Sequence, residues 1–301
     1  MKKAQQKKLD LLYQQHIDAL TRQGKSESTI DAYSRAVRRI SDYFDRCPDR
    51  LTVNELKDYF VGLVRSHSWS TVKSDRNGLQ FFYKHTLNKQ WDWVDIIKPP
   101  QIKYLPDILT PKEVELIINS TREFRYQTYI ITVYSMGLRL GEALTLKVGD
   151  IDKNRMKVHI RCGKGKKDRF VTLPEKTLFV LRQYWVTHRH PSLLFPGGNT
   201  VEQRHNAKAV MDRGGLQKSF KAIVKSCNIH KHITIHSLRH CFGAHLTENG
   251  LNLRAIQQEM GHECPKTTAI YTQLTEQAQQ NSAEAINLLL DRLSLSLPGD
   301  K

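Results

Sequence analysis

The chain has 301 residues, with 47 Lys+Arg against 30 Asp+Glu, a formal charge of +17. With 39% hydrophobic and 26% charged residues it can bury a core, which excludes global disorder, and no apolar run is long enough to span a bilayer. The basic, polar start MKKAQQKKLDLLYQQH has no apolar h-region or cleavage site, so no secretory signal is expected. The charge calls for a polyanion, DNA or RNA, or else marks an idle basic surface; an anionic membrane fits less well, because no helix pairs a basic face with a Trp/Phe face. The cysteines Cys47, Cys162, Cys227, Cys241 and Cys264 are odd in number and form no CxxC, which predicts reduced thiols.

In chain order, Leu9, Leu12, Tyr13, Ile17 and Leu20 predict an amphipathic helix over 5–24. Ser28 is read as the N-cap of a second helix carrying Ile30, Tyr33, Val37, Ile40 and Phe44, stopped by Pro48. Thr52 and Glu55 form a capping-box pattern before a third helix, and Val72, Leu79 and Phe82 mark a fourth. Residues 1–97 therefore read as a helical bundle. Pro99, Pro100 and Pro106 make 98–107 an extended linker. Thr110-Pro111-Lys112-Glu113 is a capping box that opens a second domain over 108–301. Alternation over 156–162 predicts a half-buried strand, paired with 169–173 through a Gly/Lys hairpin turn. The rest reads mostly helical, interrupted by a polar loop at 196–215, and His188, His190, His230 and His232 are placed on the surface. The fold class is thus mainly α with a small β-hairpin or sheet (α+β).

Three stretches carry chemistry. Tyr134–Glu142 breaks a helix at Gly137 and then sets Arg139 three residues before Glu142; alone this also fits an ordinary surface ion pair. The hairpin tip bears Lys164, Lys166 and Lys167, with Arg169 just beyond, a shape suited to a DNA groove or to a solvated loop. It does not match a P-loop. His236-Ser-Leu-Arg239-His240 puts His236 and Arg239 on one helical face, where both can reach a single phosphate. Gly261-His262 and Tyr271 follow. A zinc site built from His236, His240, His245, His262, Glu263 and Cys264 lacks standard ligand spacing.

Together these residues resemble the tyrosine recombinase (phage integrase) family, nearest to its Xer and integron-integrase members. Arg139, Lys164, His236, Arg239, His262 and Tyr271 occur in the family's order, within a match covering most of 108–275. The resemblance implies a SAM-like core-binding domain over 1–97, a catalytic domain over 108–301, and the two forming a clamp on double-stranded DNA hinged at 98–107. It implies that Tyr271 is the nucleophile and forms a 3′-phosphotyrosine. His236 would be the acid/base for its proton and Lys164 the general acid. Arg139, Arg239 and His262 would hold the phosphate, supported by Glu142 and His240. Lys166, Lys167 and Arg169 would contact DNA. No metal or cofactor is implied. The apolar stretch Ala283–Leu295, within a terminal helix at about 282–296, is expected to dock on a neighbouring protomer, giving a homo-tetramer on specific recombination sites, with or without a partner recombinase. Location is expected in the cytoplasm, on the nucleoid.

Overall fold

In a computed structural model, residues 1, 3–91, 106–161, 168–261, 268–269 and 271 are described. The chain divides into two compact units, Met1–Lys103 and Tyr104–Lys301. Lys164, Lys166, Lys167, His262, Cys162, Cys264, most of the 98–107 linker and the 282–296 helix lie outside the described residues. Among the described residues no helix is long and apolar enough to cross a membrane.

Among the described residues, the first unit has four α-helices: α1 (Lys3–Arg22), α2 (Glu27–Phe44), α3 (Val53–Ser66) and α4 (Trp69–His85). Their apolar faces meet in a core that includes Val37, Ile40, Tyr59, Phe60, Leu79 and Phe82. Gly78 lets α4 press against α2, since a Cβ there would lie 2.9 Å from the Tyr33 Cα. Thr52 and Glu55 form the expected capping box. The cap of α2 is Ser26 rather than Ser28: Ser26 is extended and its hydroxyl accepts the Thr29 N–H, which leaves Ser28 in the first turn. The helix ends at Asp45, in the left-handed region, three residues before Pro48.

The second unit opens with α5 (Pro111–Ser120), capped by Thr110 and Glu113 as the sequence predicts. It continues with α6 (Phe124–Met136), the short α7 (Leu140–Leu144), and an antiparallel sheet β1 (Ile151–Asp152), β2 (Lys157–Ile160), β3 (Arg169–Thr172) in that order. Val158 and Ile160 are buried while Lys157 and His159 are not, as the alternation requires. Among the described residues, five further helices follow: α8 (Glu175–Val186), α9 (Val201–His205), α10 (Arg213–Ser226), α11 (Ile235–Glu248) and α12 (Leu253–Met260). The 196–215 stretch is thus partly helical, because Thr200 and Gln203 box the start of α9 and Asp212 caps α10.

His188 and His190 are buried, contrary to their expected surface position. Burial, with the Arg204 charge next, pushes His188 down to about 4. His190 is fully bonded: Nε2 donates to the Ala207 carbonyl, and Nδ1 accepts the Ser192 and Leu193 N–H groups. It is a turn-forming side chain, which a His-x-His pattern does not reveal.

Candidate active site

The site is assembled from two helix ends and one helix face. α6 stops at Gly137 and α12 at Gly261, both left-handed, with φ of +58° and +61°. Such C-terminal caps leave carbonyls without helical partners, at the negative end of the helix dipole, where a cation is favoured. Arginines occupy both. Arg239, on α11, is 1% exposed and donates through Nη1 to the Gly137 carbonyl and through Nη2 to the Met260 carbonyl, each at 2.5 Å. Arg139 donates through Nη2 to the Gly261 carbonyl at 3.0 Å and through Nη1 to Glu142 Oε1 at 2.7 Å. Two guanidiniums are thereby fixed in neighbouring positions. Burial, then the Arg139 charge, lowers Arg239 to about 10, so it stays protonated at neutral pH.

Glu142 makes this crowding of cations tolerable. Its side chain is 8% exposed and accepts the Arg139 backbone N–H at 2.9 Å and both Nη groups of Arg169 at 2.8 Å. Burial would raise its pKa, but the hydrogen bonds from Arg169 and Arg139 and the Arg169 charge outweigh that and hold it near 2. Arg139 and Glu142 are therefore not a surface ion pair. The Arg169 guanidinium forms a fork with the buried Glu142 carboxylate, and its stem lies against Gly261, where a Cβ would come within 2.6 Å.

α11 presents His236, Arg239 and His240 on one face, as the spacing predicts. The His236 and His240 rings meet edge to face at 5.0 Å. His240 Nδ1 shares a 3.2 Å hydrogen bond with the Tyr271 hydroxyl. Thus His240, expected only as a support, touches the tyrosine; among the hydrogen bonds of the described residues, it is His240 and not His236 that meets this hydroxyl. Burial, then the His236 and Arg239 charges, lowers His240 to about 4, leaving it neutral at pH 7. His236 is lowered as well, by partial desolvation first and by Arg239 and Arg139 after it. Tyr271 is fully buried among Ala244, Ile256 and Met260. Burial pushes its hydroxyl up to about 12, with Arg239 pulling the other way.

Several residues of this site carry no sequence signal of their own. Gly243 admits the Tyr271 ring to the face of α11: a Cβ there would sit 2.5 Å from Tyr271 Cε2. Phe242 packs over Gly137, where a Cβ would sit 2.3 Å from its ring. On the far side of α11, His245 Nε2 donates to the Leu109 carbonyl and Nδ1 accepts the Tyr134 hydroxyl, which commits both nitrogens and removes it from any zinc set with His236 and His240.

The family model described as "Phage integrase family" matches residues 107–278, more than half the chain, and "Phage integrase, N-terminal SAM-like domain" matches 12–93. The chain belongs to the phage integrase family. A putative integrase/recombinase, y4qK, of Sinorhizobium fredii is 33% identical over 259 residues, which is 83% of this chain and 80% of that protein. The tyrosine recombinase XerD of Listeria innocua is 31% identical over 275 residues, 85% of this chain and 91% of that protein. The fold of XerH site-specific recombinase, solved bound to its difH substrate in a pre-cleavage complex, superposes with a TM-score of 0.61 at 21% identity, covering 84% of this chain and 78% of that one. This integrase is a tyrosine recombinase, a site-specific enzyme that cleaves and rejoins DNA. Its catalytic unit has the mainly helical fold with a small antiparallel sheet that the sequence predicts.

Proposed function

We propose that this integrase recombines duplex DNA at specific sites through Tyr271, which attacks the scissile phosphate to form a 3′-phosphotyrosine and releases a 5′-hydroxyl. The observation that carries this reading is the 3.2 Å contact between the Tyr271 hydroxyl and His240, beside two arginines fixed by backbone carbonyls. A hydroxyl near pKa 12 needs both a base and a cation field to act at neutral pH. Neutral His240 accepts the proton, and the His236 ring packs edge to face against it. Arg139 and Arg239 bind the non-bridging oxygens, and holding them in advance removes the cost of reorienting them as negative charge develops. His262 joins that clamp. Lys164 gives its proton to the departing 5′-oxygen, so the phosphoester is exchanged rather than hydrolysed. Glu142 and Arg169 keep Arg139 in place. Lys166 and Lys167 contact the DNA backbone, and most of the remaining lysines and arginines position that backbone or do nothing specific.

The domain reading is a DNA-binding unit over 1–97 and a catalytic unit over 108–301, joined by 98–107. Assembly is a homo-tetramer on paired DNA sites, through the 282–296 helix, in the cytoplasm on the nucleoid. The Tn1549 transposon integrase, of similar fold at a TM-score of 0.61, is solved in complex with transposon right end DNA, which supports the DNA reading. A nicked suicide duplex carrying the crossover site tests the chemistry: wild type accumulates a covalent complex, and Tyr271→Phe binds the duplex but forms none. An adduct persisting in Tyr271→Phe refutes the assignment.

A further inference from the structure

Among the described residues strand β3 is one edge of the sheet, and an edge strand exposes N–H groups that need a partner. Here one of them is taken by a side chain from another element. Glu259, in the last turn of α12, accepts the Thr172 N–H at 2.9 Å through Oε2 and the Thr172 hydroxyl at 2.7 Å through Oε1. Lys157, paired with Thr172 across the sheet, donates to that hydroxyl at 2.9 Å and lies 3.9 Å from the same carboxylate. The other end of β3 is held by the fork from Arg169 to Glu142 and by the seat of the Arg169 stem against Gly261. One four-residue strand is therefore fastened by two carboxylates, one on α7 and one on α12. Each fastening lies close along the chain to a proposed phosphate ligand: Glu142 is three residues after Arg139, and Glu259 is three residues before His262.

β3 is also the strand that receives the chain from 162–167, where Lys164 lies, five residues before Arg169. We propose that Glu259 is a positioning residue for proton donation to the leaving group: it locks β3, the strand that follows Lys164 along the chain, onto α12, the helix that ends at Gly261. The inference rests on the reading of Lys164 as the proton donor. A misplacement of about 1 Å at a reacting group costs on the order of 100-fold in rate, so a loose β3 slows bond breaking without weakening DNA binding.

The test uses the full chain, saturating duplex, and the single-turnover rate of covalent adduct formation. Two duplexes are compared: one ordinary, one with the bridging 5′-oxygen at the scissile phosphate replaced by sulfur. Attack by Tyr271 on the second breaks a P–S bond and expels a thiolate, whose conjugate acid, near pKa 8.5, makes proton donation dispensable. Glu259→Ala should slow cleavage of ordinary DNA by about 10- to 100-fold and return to within about threefold of wild type on the sulfur duplex, with an unchanged Kd for DNA. Glu259→Gln, which keeps an acceptor for the Thr172 N–H, should fall between them. A damaged fold would slow both duplexes equally. Lys164→Ala tests the underlying reading separately: if the sulfur duplex fails to rescue it, that reading falls and this assignment with it. Rescue of Lys164→Ala beside an unimpaired or unrescued Glu259→Ala overturns the assignment alone.

Discussion

Replacing Glu142 with glutamine removes one negative charge from between two guanidiniums and keeps the side-chain shape. The carboxyl is depressed from 4.5 to about 2 in the folded chain. A depressed carboxyl stabilises the fold above its unfolded pKa, and that contribution is lost as pH falls from about 4.5 through 2. At about 1.36 kcal/mol per pKa unit, the difference amounts to roughly 3 kcal/mol at pH 7. The side chain is only 8% exposed, so little of this is screened by water. Glu142→Gln should therefore lower the unfolding free energy of the catalytic unit by about 3 kcal/mol at pH 7, and by only about 2 kcal/mol at pH 3.5, where the unfolded carboxyl is already mostly protonated. Urea unfolding of the full chain at the two pH values, read through amide exchange in α7 and β3, measures both numbers. A loss under about 0.5 kcal/mol at pH 7, the size of an exposed pair, would refute a buried carboxylate bridging Arg139 and Arg169.

Other outcomes follow from the same geometry. Gly243→Ala should favour α11 by helix propensity, by about 1 kcal/mol, yet cut adduct formation by at least about 10-fold, because its methyl would occupy the Tyr271 seat; unchanged cleavage in a folded variant contradicts that seat. Since His240 is held near 4, adduct formation should stay level as pH falls from 8 to 6 and decline only toward 4; an acid limb centred near 6.5 that disappears in His240→Ala would show an ordinary imidazole instead. In the first unit, His16 is buried between Phe81 and Phe82, and burial lowers it to about 4. The unfolded chain binds that proton from about pH 6.5 downward, so the unit should lose roughly 3 kcal/mol between pH 7 and 4, and thermal melts of His16→Leu should show a much smaller acid loss. Gly137→Ala combines a left-handed φ with a Cβ 2.3 Å from Phe242; overpacking of this kind costs about 1–3 kcal/mol, and an unshifted Tm would argue against the close approach.

Much of the architecture was legible along the chain. The boxes at Thr52/Glu55 and Thr110/Glu113 mark helix starts because the side chain and the backbone N–H it bonds lie three residues apart. The alternation at Val158 and Ile160 marks a strand because side-chain direction repeats every two residues. His236, Arg239 and His240 share a face for the equivalent helical reason. The α2 cap was misplaced by two residues because Ser26 and Ser28 carry the same chemistry, and only backbone conformation separates them.

Partnerships across the fold were not legible. The fork between Arg169 and Glu142 spans 27 residues of sequence, and composition cannot tell that Glu142 would be buried beside that arginine. His240 looked like a support until Tyr271, 31 residues on, reached its ring. The two arginines depend on carbonyls of Gly137, Met260 and Gly261, and every peptide has a carbonyl. Sequence by itself determined the elements, the family and which residue types could do the chemistry, because those follow from local periodicity and a fixed order of motifs. The tertiary structure alone decided which charges are buried against which, and pKa and hydrogen-bond strength depend on that proximity and desolvation rather than on order along the chain.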